Sequence, residues 1–289
     1  MMVRILTIGD FHGKIPYKLK KKIDKLVFDV IISPGDFGSF HERKLFFKHA
    51  YGKEDVKLAD VIGQKKVNKF ILQNEADAEK VISYLESFKK PLFVVTGNTD
   101  YAGQNDIGGE DDTPKEYKKL TLNFLNKLKI PVLDFAKQKF NEYELVGYPR
   151  SSYPGIYTRT ILSKKPHYKK RASKQEKDYM DHKKRMEKLF TNPQKTIFIS
   201  HNTPYRTKLD KIGAYGDESV RGQHYGSALT KELIKKYQPR LVIAGHMHEN
   251  AGKIRIGKTI VVNPGAAVDG RAALIELTDK QVRVNFIKV

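Results

Sequence analysis

Along the chain, carboxylate, amide and imidazole side chains recur in one format: a polar turn placed directly after a short apolar run. Val3–Ile8 leads into Gly9-Asp10-Phe11-His12-Gly13, and Val27–Ile32 leads into Pro34-Gly35-Asp36. Leu92–Thr96 leads into Gly97-Asn98-Thr99-Asp100, Thr196–Ile199 into Ser200-His201-Asn202-Thr203-Pro204, and Leu241–Ala244 into Gly245-His246-Met247-His248. Neutral imidazole together with carboxylate oxygen suits divalent Mn, Fe, Zn, Ni or Co. In extended backbone an i, i+2 spacing puts Asp10 with His12, and His246 with His248, on one face. Glycine ahead of the polar residue lets the backbone turn sharply and approach a metal or phosphate. Asp10, His12, Asp36, Asn98, His201, His246 and His248 are too many donors for one transition metal. They are right for two, above all if one carboxylate bridges. Two metals roughly 3.5–4 Å apart activate a water and clamp both ends of an in-line phosphoryl displacement. Each turn taken alone is also an ordinary helix cap or tight turn. Only a shared site explains why all of them follow apolar strands in the same way.

The elements that must position these residues follow from periodicity. Short β-branched runs alternate with helical patterns, which argues for a layered α/β fold. In open α/β sheets ligands bind beyond the carboxyl ends of the strands, where these turns fall. Further strands are expected at Tyr143–Gly147, Thr259–Val262, Ala273–Leu277 and Val282–Ile287. A helix opening near Asn74 presents Ala78, Val81, Ile82, Leu85 and Phe88 on one side. Thr113-Pro114-Lys115-Glu116 is a capping box ahead of a second helix. Ser227 caps a third, carrying Leu229, Leu233 and Ile234 and stopped by Pro239. The chain reads as one domain over 1–289, with a basic, Lys-rich insertion at about 151–191.

Composition bounds the rest. The absence of cysteine excludes disulfides, thiolate nucleophiles and Cys-based zinc sites. The longest apolar runs are too short to span a bilayer. Met1-Met2-Val3-Arg4-Ile5 runs straight into a strand, so no signal peptide and a cytoplasmic location are expected. A net charge of +21 draws anions, nucleotides and nucleic acid. Residues 159–188 hold twelve Lys/Arg against four acids, a pattern that a solvated amphipathic helix also produces. No stretch is marked as an oligomer interface.

The ordered set Gly9-Asp10-x-His12, Gly35-Asp36, Gly97-Asn98, His201 and Gly245-His246-x-His248 resembles the calcineurin-like metallophosphoesterase superfamily. Val262-Asn263-Pro264-Gly265 is similar to the strand and turn that follow it in small prokaryotic members. The resemblance implies a four-layer αββα sandwich of two mixed β-sheets flanked by helices. It implies Asp10, His12, Asp36 and His248 around one metal, with Asp36 bridging to a second held by Asn98, His201 and His246. By the same resemblance, a hydroxide between the metals attacks phosphorus in line while Asn98 and the metals neutralise the phosphate oxygens. Many members carry His directly after the Asn; here Thr99 and Asp100 follow, as in the branch with Gly-Asn-x-Asp.

These readings predict a metal-dependent phosphoric ester hydrolase with two divalent ions, Mn first among them, and diesters ahead of monoesters. The substrate is expected to be a phosphate ester, from nucleotide to nucleic acid. Since the usual His is missing, His224 becomes the candidate acid or phosphate contact. Arg150, Arg206 and Arg221 are candidate phosphate grips. A non-catalytic scaffold on the same fold would be expected to have eroded its ligands. A nucleic-acid-binding module would leave the ligand set unexplained.

Overall fold

In the computed structural model, residues 2–49, 56–100, 130–149, 169–213 and 221–289 are described. The first sheet runs β11 (Val282–Lys288), β10 (Arg271–Leu277), β1 (Val3–Thr7), β2 (Val30–Ser33), β3 (Leu92–Val94). β1, β2 and β3 are parallel, in register Ile5↔Val30 and Ile32↔Phe93, and β10 pairs antiparallel to β1. The second sheet runs β4 (Lys137–Phe140), β5 (Tyr143–Tyr148), β6 (Thr196–Asn202), β7 (Leu241–Gly245), β9 (Thr259–Asn263), β8 (Gly252–Ile256). Its four inner strands are parallel and its two edge strands antiparallel, so both sheets are mixed.

Alternation along the strands builds the layers. Val3, Ile5, Val30, Ile32 and Ile275 of the first sheet meet Leu145, Ile197, Ile199, Leu241 and Ile243 of the second in a core between the sheets. Leu6, Ile31 and Val94 point the other way, onto α1 (Tyr17–Ile23) and α4 (Gln64–Glu86). On the far side Val146, Phe198, Val242 and Val261 pack against α5 (Lys169–Glu187) and α6 (Ala228–Tyr237). This is the expected αββα sandwich. Two short helices, α2 (Arg43–His49) and α3 (Leu58–Ile62), form a small satellite core with α4 through Phe46, Leu58, Val67 and Ile71.

Several boundaries differ from the sequence expectation. β2 starts at Val30 rather than Val27, whose side chain is exposed. α4 starts at Gln64, because Val67 and Ile71 carry the buried stripe of Ala78, Val81 and Ile82 back toward Gly63. β4 was not expected: its Lys137, Gln138 and Lys139 are exposed, as suits an edge strand protected by charge. The helix expected after Thr113 lies outside the described residues. The described part of the basic stretch is α5, whose His182 and Met186 are buried against the second sheet. Ser227 does cap α6, its hydroxyl accepting from the Thr230 N–H at 3.1 Å.

Candidate metal centre

The parallel strands β1, β2, β3, β6 and β7 all point their carboxyl ends to one edge, and the loops that follow interlock there. The Asp10 N–H donates to Gly35 O (2.8 Å), and the Phe11 and His12 N–H groups donate to Asp36 O (2.7 and 3.1 Å). The Phe11 and Phe37 rings stack beneath this seam, centroids 5.4 Å apart. Asp10, His12, Asp36 and His246 all hold positive φ, between 44° and 67°. Non-glycine residues rarely do so, and such strain clusters at functional sites. A bulge in β6 between Ser200 and Asn202 re-aims His201 at the same point.

The result brings all seven expected ligands together. Asp10, His12, Asp36 and His248 offer ligand atoms within 4.8 Å of one another, and so do Asp36, His201 and His246. Asp36 belongs to both groups. Its Oδ2 lies 3.7 Å from His12 Nε2 and its Oδ1 lies 3.7 Å from His201 Nε2. Asn98 closes the second group, its Oδ1 lying 3.0 Å from His201 Nε2 and 2.9 Å from His246 Nδ1. The backbone N–H of His246 donates to both carboxylate oxygens of Asp10 at 3.0 Å.

The chemistry of these donors fits a cation. His201 Nδ1 donates to the Pro34 carbonyl (2.7 Å), which can only accept, so its Nε2 in the neutral ring presents a lone pair to Asn98 Oδ1 and Asp36. His12 Nε2 and His248 Nε2 face each other at 3.0 Å. Burial, assisted by His201, lowers His246 to about 3; burial, assisted by His12, lowers His248 to about 4; burial likewise lowers His12. These rings are therefore unprotonated at neutral pH, the form that binds a metal. Burial opposes ionisation of Asp36, but His201, His12 and the Thr99 N–H hold it at about 2. Burial and the neighbouring Asp36 raise Asp10 well above the carboxylate range. Lone pairs converging on one point, with too few protons between them, call for positive charge.

Glycine at position 97 is required by this packing. A β-carbon there would sit 2.1 Å from Asp36 Oδ1 and 2.6 Å from His201 Cε1. Three supporting residues were not assigned roles from the sequence. The Asp100 carboxylate accepts from the N–H groups of Asp36 (2.7 Å), Phe37 (2.7 Å), Gly38 (3.2 Å) and Gly97 (2.8 Å), tying the β2 loop to the β3 loop. Asp134 accepts from the N–H and hydroxyl of Thr96. Pro34 supplies the carbonyl that fixes His201. Asp100 stands two residues after Asn98 in the motif, yet its partners are up to 64 residues away and no local spacing reveals them.

The remaining candidates separate. His224 sits on the β6–α6 loop, its Nδ1 2.8 Å from the buried Asp210 carboxylate. Asp210 also accepts from the N–H groups of Arg206, Thr207 and Gly226. This loop packs beside the ligand loop of β7, where Asn250 Nδ2 donates to Lys211 O and the Gly213 N–H donates to Glu249. Arg206 is exposed, its guanidinium over the Tyr205 ring, and Arg221 is exposed on the same loop. Arg150 lies outside the described residues.

Residues 166–287 match the family model described as metallophosphoesterase, calcineurin superfamily. Over that segment the chain is similar to that superfamily. The matched segment carries His201, His246 and His248; the fold brings Asp10, His12, Asp36 and Asn98 to them from the first sheet. The uncharacterized protein MJ1162 of Methanocaldococcus jannaschii is 24% identical over 265 residues, 91% of this chain and 88% of that protein. A dimetal phosphatase from Danio rerio shares the fold with a TM-score of 0.53 at 10% identity, covering 99% of this chain and 96% of that one. The phosphopantetheinyl hydrolase PptH of Mycobacterium tuberculosis shares it with a TM-score of 0.51 at 13% identity, covering 91% and 89%. The superfamily is one of metal-dependent phosphoesterases.

Proposed function

We propose that this chain is a metal-dependent phosphoesterase that holds two divalent ions and hydrolyses phosphodiesters in preference to monoesters. The observation that carries the reading is Asp36, a single carboxylate common to both ligand groups. Asp10, His12, Asp36 and His248 would hold one ion; Asp36, Asn98, His201 and His246 would hold the other. Bound there, such ions supply a nucleophile from water at neutral pH and neutralise phosphate charge. The mixture of imidazole, carboxylate and amide donors suits Mn, Fe, Ni, Zn or Co, and we take Mn as the first ion to test.

The protein's own groups have separate tasks. The N–H of His246 holds the Asp10 carboxylate in place through both oxygens, and the Pro34 carbonyl fixes the tautomer of His201. Asn98, whose Oδ1 faces His201 and His246, would contact a phosphate oxygen through its amide N–H. Thr99 occupies the position of the usual leaving-group histidine. We assign that task to His224, with Asp210 orienting its ring through Nδ1 and leaving Nε2 to give up the proton. The preference for diesters is supported by Gly97-Asn98-Thr99-Asp100, the branch pattern with Asp100 in place. Arg206 and Arg221 on the adjacent loop are offered as phosphate contacts.

The cationic side of α5, with Lys177, Lys184, Arg185 and Lys188 exposed, supports a nucleotide or nucleic-acid substrate. Among the described residues, no helix is long and apolar enough to cross a membrane.

The test uses metal-stripped protein reloaded with Mn²⁺. Bis-p-nitrophenyl phosphate is assayed beside p-nitrophenyl phosphate, with Asp36→Asn and His246→Ala as controls. Metal-dependent diester turnover lost in both variants is the expected result. Two bound metals without turnover of either ester would refute it.

A further inference from the structure

Beside the ligand loop, on the outer face of the first sheet, lies a cavity of about 390 Å³. That is within the ~300–1,000 Å³ of small-molecule sites. Its floor is apolar, from Ile15, Val81 and Val268; its cations are Lys14, Lys20 and Lys80. Among the described residues, no carboxylate lines it. Lys14 is exposed, Lys20 places its ammonium 4.7 Å from the Tyr84 ring centroid, and Lys80 is paired with Asp77 at 3.1 Å.

The cavity is built onto the metal centre. Gly13, part of its wall, directly follows His12, and its N–H donates to Phe37 O, the residue after Asp36. Val268 donates its N–H to the carbonyl of Asp10 at 3.3 Å. Gly13, at φ +75°, has no space for a side chain. A β-carbon there would come within 2.8 Å of Asp77 and 2.9 Å of Ser39, so the His12 loop is pressed against α4 and the cavity wall is continuous with it.

We propose that this cavity is the subsite for the non-reacting end of the substrate. An apolar floor takes a flat or hydrophobic body, and Lys14 and Lys20 take a second anionic group. The inferred class is a phosphodiester of a nucleoside that carries a further phosphate. This deepens the phosphoesterase reading and rests on it.

The experiment compares thymidine 3′-(p-nitrophenyl phosphate) with and without a 5′-phosphate on the Mn²⁺-loaded protein. The 5′-phosphate is expected to lower KM at least tenfold, the worth of one charge-assisted contact. In the double variant Lys14→Ala/Lys20→Ala that ratio falls to near one. Lys253→Ala/Arg255→Ala removes the same charge from exposed positions on β8 and retains the ratio. A wild-type ratio near one, a ratio surviving in the cavity variant, or equal loss in both variants overturns the proposal. Absent turnover of bis-p-nitrophenyl phosphate by the wild type would instead sink the phosphoesterase reading. Calorimetric binding of thymidine 3′,5′-bisphosphate to the metal-free protein then decides the cavity alone: weaker binding in the cavity variant supports it, equal binding refutes it.

Discussion

Gly97→Ala isolates the packing of the bridging carboxylate from its chemistry. The new β-carbon would lie 2.1 Å from Asp36 Oδ1 and 2.7 Å from its Cγ, where real β-carbons essentially never come under 3.0 Å. Asp36 or the β3 turn must therefore give by roughly 1 Å. Asp36 has little freedom, since its N–H is held by Asp100 at 2.7 Å and its Oδ1 by the Thr99 N–H at 2.9 Å. Gly97 is absent from the positive-φ glycines, so alanine meets no backbone penalty and the cost is steric. Overpacking of this kind costs about 1–3 kcal/mol of stability. A displacement of about 1 Å at a catalytic group costs roughly 10²-fold in rate. Gly213→Ala is the control, because among the described residues its β-carbon meets only the Glu249 side chain, Cγ at 3.5 Å and Oε1 at 3.9 Å, ordinary contacts. The assay is metal content by plasma mass spectrometry beside diester turnover and thermal melting. The expected outcome is a folded Gly97→Ala protein with reduced Mn²⁺ content and turnover down about 10²-fold, and an unchanged Gly213→Ala protein. A Gly97→Ala variant that keeps its metals and full turnover would refute the reasoning.

Further outcomes follow from the same geometry. Asp100→Ala strands four buried N–H donors and should cost about 3–5 kcal/mol, read by denaturant unfolding. Metal affinity should rise with pH. Burial and the neighbouring Asp36 raise Asp10 well above its ordinary value, so proton competition for this ligand is moved to higher pH, whereas His246 (about 3) and His248 (about 4) are unprotonated at neutral pH. Calorimetry in buffers of different ionisation enthalpy checks this: proton uptake, or affinity falling with pH, contradicts it. His224→Gln should slow an alkyl diester roughly 10²-fold while sparing p-nitrophenyl esters, whose leaving group departs unprotonated. Equal loss on both esters would remove His224 from the proton-donor role.

Much of the site was legible because its residues follow the strands that place them. Asp10, His12, Asp36, Asn98, His201, His246 and His248 stand in turns directly after buried β-branched runs; parallel pairing gathers those turns within each sheet, and the packing of the two sheets joins the two sets. Two layers of helices around two sheets were legible for the same reason: period-two runs for the sheets, period-3.6 stripes such as Ala78, Val81, Ile82 and Leu85 for the helices. What escaped was held by long-range backbone bonds. Asp100 acts through N–H groups of the β2 loop, and Pro34 through a carbonyl that any residue would supply. β4 escaped because an exposed edge strand needs no apolar pattern. The cavity of Lys14, Lys20 and Lys80 joins residues from α4 to the turn after β1, a juxtaposition that only the fold makes.

Asp36 lies where one carboxylate can serve a pair of metals. A crystal grown or soaked in Mn²⁺ and measured at the manganese edge tests it directly. Two anomalous peaks are expected roughly 3.5–4 Å apart, with Asp36 between them, Asp10, His12 and His248 on one, and Asn98, His201 and His246 on the other. A single peak, or two peaks with Asp36 on only one, would contradict it.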